Sequence, residues 1–352
     1  MSNGQNTSLD KRDAILEIGT EELPARLFPD LLDTMEQSAT RLLKEERVEY
    51  SSLKAYATPR RLVLYIKEVA SEGRSHVQEV RGPTYRVAFD ETGEPTRAAR
   101  GFANAHGVGV SDLVVKEEAK GKFVYAISRT PGRDARDALR DVFTCLITGL
   151  NFERAMRWGD GDFRFVRPIR WLLALWGGDI IDIEINGIKG NRFTSGHRFL
   201  SSDKIEIRQV ENYFDVLDEA YCIVNQDRRK AIVAKGIQKV AEGIGGQIAE
   251  DEKLLTELTY LSEHPVPLAG EFDPDLLKLP KEVIITSMKG HQRYFPVQNE
   301  QGSLLPVFIA VRDGLPTHID AVRKGYERVL SARLHDAKFF YEEDTKTHFE
   351  TY

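Results

Sequence analysis

Leu16-Glu17-Ile18-Gly19-Thr20-Glu21-Glu22-Leu23-Pro24 is the stretch that decides the fold of this 352-residue chain. Its apolar start is typical of a β-strand, the Gly-Thr pair of a turn, and the proline of the first turn of a helix. We therefore predict a strand over residues 14–19. A helix is predicted over residues 24–46, where apolar side chains recur with the 3.6-residue period.

A second strand is predicted over residues 62–66, directly after the block Thr58-Pro59-Arg60-Arg61. It completes a predicted N-terminal α+β unit over residues 12–72. Changes of hydrophobic period and Gly/Pro turns predict the remaining organisation. It consists of an inserted α+β unit at 73–150, a β-rich unit at 151–208, a mainly helical α+β unit at 209–346 and a divergent tail at 347–352. The predicted fold class is α+β, a multi-domain chain of mixed short sheets with packed helices.

The same periodicities predict the individual elements of the later units. The predicted helices are residues 96–103, 134–149, 209–219, 227–242, 251–263, 281–289 and 318–341. The predicted strands are residues 123–127, 171–176, 293–298 and 304–311, and the alternating isoleucines are Ile181, Ile183 and Ile185.

Composition indicates a globular protein, since 41% of the residues are hydrophobic and 30% are charged. The formal net charge of −6 argues against a protein whose whole surface grips nucleic acid, but it allows a local basic face. No apolar stretch approaches a membrane span, and the polar start lacks the apolar core of a signal peptide. Cys145 and Cys222 lie far apart in sequence, so we expect no disulfide framework and a cytoplasmic location.

Two charged pairs each admit two readings. Glu21 and Glu22 are either general bases or metal ligands, or acids that complement the positive end of a helix dipole. Arg60 and Arg61 follow a proline that fixes the backbone, and guanidinium groups fit phosphate bidentately. Adjacent arginines are equally common on solvated surfaces, so both readings stay open here.

The segment from Met156 to Trp171 holds the densest mixture of aromatic rings and arginines. Such a mixture can stack bases and neutralise phosphates. If residues 163–167 form a strand, Phe163, Phe165 and Arg167 face one side, and Arg164 and Val166 face the other. In that case part of the aromatic set belongs to the core.

Two similar basic turns, Gly196-His197-Arg198-Phe199 and Met288–Pro296, place histidines beside glycines. His197 and His291 are therefore either ligands or proton carriers, or turn residues with one satisfied hydrogen bond. His335-Asp336 is the pair that names metal-dependent phosphohydrolases. That chemistry needs further ligands around the pair, and no metal ligand is predicted.

Nucleotide-binding signatures are missing from the sequence. No GxxxxGK[ST] loop occurs, no GxGxxG follows a strand, and no G-x-S-x-G elbow is present. The chain therefore shows no self-contained machinery for activating an amino acid with ATP, and no catalytic residue is predicted.

A series of short blocks resembles the beta subunit of the two-subunit bacterial glycyl-tRNA synthetase over about residues 13–346. The blocks are Glu17–Pro24, Thr58–Leu62, Arg81–Pro83, Met156–Gly159, Phe165–Pro168, Gly196–Phe199, Met288–Gly290, Arg293–Pro296, Ala332–Leu334 and Asp336–Phe340. No single block is specific, but their number and order identify the family.

The resemblance implies a ligase subunit that makes no bond itself. In that family the alpha subunit holds the catalytic core, uses ATP and Mg²⁺ and joins the beta subunit in an alpha2beta2 heterotetramer. The beta subunit is required for glycylation of tRNA(Gly) and supplies much of the tRNA binding. Family members continue into an HD-like and an anticodon-binding domain, so we expect a truncated protein, a gene fragment or a frameshifted reading frame. Alone, this chain is expected to be inactive, without a cofactor and without membrane contact.

Three hypotheses follow. In the first, basic residues contact tRNA phosphates or bases; the candidates are Arg60, Arg61, Arg167, Arg170, Arg198, Lys289 and Arg293. In the second, the chain is a scaffold for subunit assembly, and RNA is bound only by the missing C-terminal region. The third, a metal-dependent phosphohydrolase built on His335-Asp336, would require stoichiometric metal in the purified protein, and we expect metal analysis to find none.

Overall fold

The computed structural model describes residues 10–159, 161–201 and 204–346. It confirms the predicted α+β class, with several small sheets and packed helices. The predicted divergent tail, residues 347–352, lies outside the described residues.

Strands are numbered here in chain order. They are β1 (Lys11–Thr20), β2 (Ser52–Thr58), β3 (Arg61–Ala70), β4 (His76–Thr84), β5 (Val114–Glu118), β6 (Gly121–Thr130), β7 (Met156–Arg157), β8 (Arg164–Phe165), β9 (Ile169–Trp176), β10 (Asp179–Ile180), β11 (Glu184–Ile185), β12 (Ile188–Asn191), β13 (Phe193–Ser195), β14 (Lys204–Glu206), β15 (Gln247–Ile248), β16 (Pro265–Glu271), β17 (Phe295–Gln298) and β18 (Leu304–Asp313).

Helices are numbered in the same way. They are α1 (Phe28–Glu45), α2 (Tyr85–Ala88), α3 (Arg97–Ala105), α4 (Ala135–Gly149), α5 (Tyr213–Glu219), α6 (Gln226–Gly243), α7 (Glu252–Thr259), α8 (Lys281–Thr286) and α9 (Ile319–Asp344). Short 3₁₀ turns occupy Ala25–Leu27, Val110–Asp112, Val210–Asn212 and Pro274–Lys278, and a π-helical turn occupies Ser287–Gln292.

The main sheet is built around β1. Its strand order is β11-β12-β9-β1-β3-β2, with β10 beside β9, and all pairs are antiparallel except β12 with β9. Residues 14–20 are all buried, so both faces of β1 are covered. Alternation turns Leu16 and Ile18 towards α1 and α4, whereas Ile15 and Glu17 face α5. Glu17 is therefore a carboxylate inside an apolar layer.

A second sheet lies within residues 209–346. Its antiparallel order is β15-β17-β18-β16. Helix α6 covers one face through Val233 and Ile237, and α9 covers the other through Leu330 and Leu334. A third sheet, β4-β6-β5, carries α2 and α3 on a small core of its own.

Most elements lie within a few residues of their predicted bounds, because amphipathic periodicity is a local property of the sequence. Two differ more. Helix α7 ends at Thr259 and not at residue 263, since Pro265 disfavours helical backbone just before it and begins β16. The helix predicted over 281–289 becomes a π-helical turn at Ser287, which ends at Arg293 in a left-handed conformation.

The sheets join segments that periodicity alone assigns to separate units. Strands β1–β3 belong to the predicted unit 12–72, and β9–β12 to the predicted unit 151–208, yet they share the main sheet. Helix α4, at the end of the predicted unit 73–150, packs against α1 in the same core. The division into four units itself stays a prediction.

Gly19 is a position where the main sheet has no room for a side chain. It pairs with Trp171 on β9, and a Cβ at Gly19 would stand 1.9 Å from an indole carbon of Trp171. We expect Gly19→Ala to lower the free energy of unfolding by about 1–3 kcal/mol, because the indole must leave its place against β1. Urea titration followed by circular dichroism measures this change.

The matched control is Gly325→Ala, in the interior of α9, where a Cβ would meet nothing within 4 Å. This substitution is expected to stabilise the helix slightly, since alanine has the higher helix propensity. Equal stabilities of the Gly19→Ala variant and the unsubstituted protein would contradict the close packing of Trp171 on Gly19.

Candidate nucleic-acid interface

Three arginines of the candidate set, Arg167, Arg170 and Arg198, gather around Glu21 and Glu22, just after β1. Arg198 donates from Nη1 to Glu22 Oε1 at 2.5 Å and from Nη2 to Glu21. Arg170 Nε lies 3.5 Å from Glu21 Oε1, and Arg167 Nε donates to the Glu22 carbonyl at 3.0 Å. The two glutamates therefore hold three guanidinium groups from two other parts of the chain.

Backbone hydrogen bonds fix this segment from both sides. Thr20 N donates to the Arg60 carbonyl at 2.8 Å, and Leu23 N donates to the Pro59 carbonyl at 2.7 Å. Glu21 N donates to the Pro168 carbonyl at 3.2 Å. Three blocks that are distant in sequence thus meet at one place, which periodicity could not reveal.

Arg60 completes this group. Its guanidinium carbon lies 5.6 Å from the Trp171 ring centroid, and its Nε is buried without a hydrogen-bond partner among the described residues. Burial lowers the pKa of Arg60; the Glu263 carboxylate opposes that effect, and the Arg198 guanidinium adds to it. We call Arg60, Arg167, Arg170 and Arg198 the arginine rim.

The arginine rim is a local basic surface on an acidic chain. The side chain of Arg170 is 60% exposed and that of Arg198 is 35% exposed, so both present N–H groups to solvent. Four guanidinium groups outnumber the two carboxylates between them. The charge on this face is therefore positive, although the net charge of the whole chain is −6.

Arg61 differs from its neighbour because it is fully buried. Its Nη1 lies 3.5 Å from Glu17 Oε1, and its Nη2 lies 3.2 Å from Glu263 Oε1. Burial alone would lower the pKa of Arg61, but Cys222 and the Glu263 and Glu17 carboxylates around the guanidinium hold that pKa well above its ordinary value. This burial corrects the expectation of a surface contact: the Arg61 guanidinium is not accessible to an RNA phosphate.

Glu17 is the centre of the buried network. Its carboxylate accepts hydrogen bonds from Trp171 Nε1, Thr194 Oγ1 and Tyr213 OH, each at 2.7 Å. Burial, together with the Glu17 charge, raises the pKa of Tyr213, which stays a neutral donor. The network from Glu17 to Glu263 lies directly beneath the arginine rim, since Arg60 and Arg61 are adjacent.

Lys289 and Arg293 belong to a different surface. Lys289 Nζ contacts Asp251 Oδ2 at 2.7 Å, and Arg293 Nε contacts Glu257 Oε1 at 3.0 Å. Within the described residues, none of their hydrogen bonds reaches the arginine rim. Beside Asp251 lies a cavity of about 810 Å³ whose charged lining is acidic: Glu242, Glu250, Asp251, Glu252 and Glu300. This surface is thus less favourable to an RNA backbone.

The two histidine turns also differ from each other. His197 is buried, its Nδ1 accepts from Phe199 N at 3.2 Å, and its Nε2 lies 3.2 Å from Asp313 Oδ2 without hydrogen-bond alignment. Burial would raise the pKa of Asp313, but the His197 contact and the His264 N–H bring it below its ordinary value. His291 is exposed, and its carbonyl accepts from Arg293. Both fit the reading as turn residues.

The aromatic rings between Met156 and Trp171 are mostly core. Phe165 is fully buried, and Phe163 stacks on it with ring centroids 5.9 Å apart. Strand β8 covers only Arg164 and Phe165, so the predicted alternation over 163–167 does not develop, and Val166 is buried as well. The ring of Phe165 is therefore unavailable for base stacking, and one face of the partly buried Phe163 ring is covered by Phe165.

Sequence reasoning missed the partners of Arg61, namely Glu17, Thr58, Thr194 and Glu263. One signal was present: Glu17 interrupts an apolar strand, and a charge at a buried strand position requires a buried partner. Which residue supplies that partner depends on pairings across more than 200 positions, such as Arg61 with Glu263.

Residues 10–159, 161–201 and 204–346 contain neither a metal-binding cluster nor a membrane-spanning helix. No group of three or more His, Cys, Asp or Glu residues with a metal-binding arrangement occurs in them. His335 Nδ1 lies 2.7 Å from the Ser331 carbonyl of its own helix, and Asp336 is exposed. None of the described helices has both the length and the apolar character needed to cross a bilayer.

Comparison with known proteins gives one consistent result. The family described as "Glycyl-tRNA synthetase beta subunit" matches residues 14–352. The curated relatives that the chain matches include several named glycine–tRNA ligase beta subunit, and three of them illustrate the match. That of Moorella thermoacetica is 47% identical over 336 residues, which are 96% of this chain and 48% of that protein.

The other two relatives agree closely. The protein of Halothermothrix orenii is 44% identical over 96% of this chain and 49% of its own length. That of Desulforamulus reducens is 44% identical over 95% of this chain and 48% of its own length. The chain thus spans about half the length of the curated relatives it matches.

Proposed function

The chain belongs to the glycyl-tRNA synthetase beta subunit family, and we propose on this basis that it serves glycylation of tRNA(Gly) by binding tRNA and the alpha subunit. The alpha subunit would carry out the chemistry with ATP and Mg²⁺ in a cytoplasmic alpha2beta2 assembly. The role of this chain is then positioning and charge neutralisation, without a catalytic residue of its own.

The arginine rim is the observation that carries the tRNA-binding part of the proposal. Arg170 and Arg198 are exposed and are held in defined orientations by Glu21 and Glu22. Preorganised guanidinium groups lose little side-chain entropy when they take a phosphate, and their planar fork matches phosphate oxygens. A backbone phosphate seated here would compete with the two carboxylates for the same N–H groups. We therefore expect moderate affinity that depends strongly on salt.

A second candidate is the assembly scaffold, in which RNA is bound elsewhere in the enzyme. Ion pairing within the chain favours it, because Lys289 and Arg293 each contact a carboxylate and Arg61 is enclosed between two. In that case Arg170 and Arg198 would be structural as well, or would meet the alpha subunit.

Binding of labelled tRNA(Gly) to the purified chain separates the two candidates. Fluorescence anisotropy is measured from about 50 to about 200 mM salt, with a non-cognate tRNA as competitor. We expect tRNA(Gly) to be preferred and affinity to fall steeply with salt, since phosphate contacts release counterions. Absent or indiscriminate binding, together with co-purification of the alpha subunit, would contradict tRNA binding and favour the scaffold.

A further inference from the structure

Phe199 is the most exposed of the large apolar side chains within the described residues, at 85%. Most other phenylalanines of the chain are packed into its cores; Phe28, Phe143, Phe165 and Phe308 are fully buried. Exposing a phenylalanine ring to water is unfavourable, so an exposed ring of this kind indicates a surface that a binding partner covers.

The turn that carries Phe199 is tightly held. Its N–H donates to His197 Nδ1 at 3.2 Å, and the following Ser201 N–H donates to the His197 carbonyl at 2.9 Å. His197 is itself buried, and its N–H donates to the Ala220 carbonyl at 3.0 Å. A Cβ at Gly196 would lie 2.7 Å from the Ala220 Cβ, so the turn packs directly against Ala220. The ring is therefore presented from a fixed backbone.

The residue before Phe199 is Arg198 of the arginine rim, whose guanidinium is bound to Glu21 and Glu22. A fixed, exposed aromatic ring thus stands one residue from a cluster of guanidinium groups. We propose that Phe199 is a stacking platform for an unpaired nucleobase of the RNA whose phosphates the arginine rim holds. This inference rests on the proposed tRNA binding.

The chemistry of the surroundings favours a nucleobase as the occupant. Ring stacking on a base requires a base face that is not already stacked, as in a loop, a bulge or a strand end. Apolar anchors of protein–protein interfaces, in contrast, usually sit in well-packed, desolvated patches. The residue before Phe199, Arg198, is exposed and charged, and its guanidinium contacts the Glu21 and Glu22 carboxylates.

Phe199→Ala tests the proposal in the full chain with tRNA(Gly). We expect affinity to fall about tenfold or more, as is typical for loss of one base–aromatic stack. The slope of affinity against salt should stay unchanged, because no charge is removed. Phe199→Trp should retain affinity, and tRNA should quench the fluorescence of the new indole.

The matched control is Phe340→Ala, which removes a ring that is 63% exposed on α9. It should bind tRNA as the unsubstituted chain does, and thermal unfolding should show that both alanine variants are folded. Normal binding by Phe199→Ala would overturn the stacking role and leave the proposed function intact. Failure of the unsubstituted chain to bind tRNA would overturn both.

Discussion

Replacing Arg61 by alanine is expected to lower the free energy of unfolding by about 3–5 kcal/mol, the largest effect of any substitution considered. The guanidinium is fully buried between Glu17 and Glu263, whose carboxylates are buried too. Without it, the buried Glu17 and Glu263 carboxylates lose the guanidinium that lies between them and pairs with both. Removal of one partner from such a group costs far more than the group contributes in net stability.

Urea titration followed by circular dichroism measures the loss. Arg41→Ala is the matched control, because Arg41 pairs with Glu45 on the exposed surface of α1, where the loss should be below about 0.5 kcal/mol. Combining Arg61→Met with Glu17→Gln and Glu263→Gln removes all three charges and should recover part of the stability. An Arg61→Ala variant as stable as Arg41→Ala would contradict the buried pairing.

Replacing Arg170 and Arg198 together by alanine is expected to weaken tRNA(Gly) binding by about 10- to 100-fold at low salt. Both side chains are exposed, and their only described side-chain partners are Glu21 and Glu22, so the fold should be retained. The change removes two cations and also frees two carboxylates to repel phosphate. A loss of this size is about 1.4–2.7 kcal/mol in total. It is smaller than two unopposed charge-assisted hydrogen bonds at about 1.5–3 kcal/mol each, because a phosphate must displace Glu21 and Glu22 from the same N–H groups.

The matched control is Lys289→Ala with Arg293→Ala, which also removes two ion-paired cations. These residues lie beside an acidic cavity lined by Glu250, Asp251 and Glu252 among others. We expect this control to bind tRNA nearly as well as the unsubstituted chain. A loss equal to that of the rim variant would show that binding does not depend on the arginine rim in particular.

The elements that sequence predicts well are those whose signal is local. The amphipathic period of α1 and α4 and the apolar alternation around Ile181 and Ile183 report burial directly, and both isoleucines are indeed buried. The pairing of β1 with β9 is different, because it joins residues about 155 positions apart, such as Glu17 with Leu173. Several strands have a suitable hydrophobic pattern, so periodicity alone does not show which of them pairs with β1.

Arg60 and Arg61 show the same limit within the candidate site. They are adjacent and chemically identical, and the sequence offers no reason to separate them. In the structure Arg61 begins β3 and points into the network of Glu17 and Glu263, while Arg60 lies beside Trp171 at the rim. Their environments differ because Arg60 lies in the turn between β2 and β3, whereas Arg61 is the first residue of β3, inside the main sheet. A variant at Arg61 therefore reports on folding, and RNA binding is best tested without it.

The solvent exposure of Phe199 could likewise not be predicted from the sequence pattern. Its neighbours His197 and Arg198 marked the turn as basic, but exposure of the ring depends on how His197 anchors the turn. Of the aromatic residues that the sequence made candidates for stacking, Phe165 is a core residue and Phe163 is partly buried against the same core. The sequence thus shows where aromatic residues and arginines are interleaved, but it does not show which aromatic side chains are exposed to solvent.

The most direct test of the account is the slope of log affinity against log salt for tRNA(Gly), compared between the unsubstituted chain and the Arg170→Ala, Arg198→Ala variant. Two lost phosphate contacts should make the slope less steep by about 1–2, since each contact contributes about 0.7–0.9. The Lys289→Ala, Arg293→Ala control should keep the original slope. Parallel lines for the rim variant and the unsubstituted chain would contradict the claim that the arginine rim holds the RNA backbone.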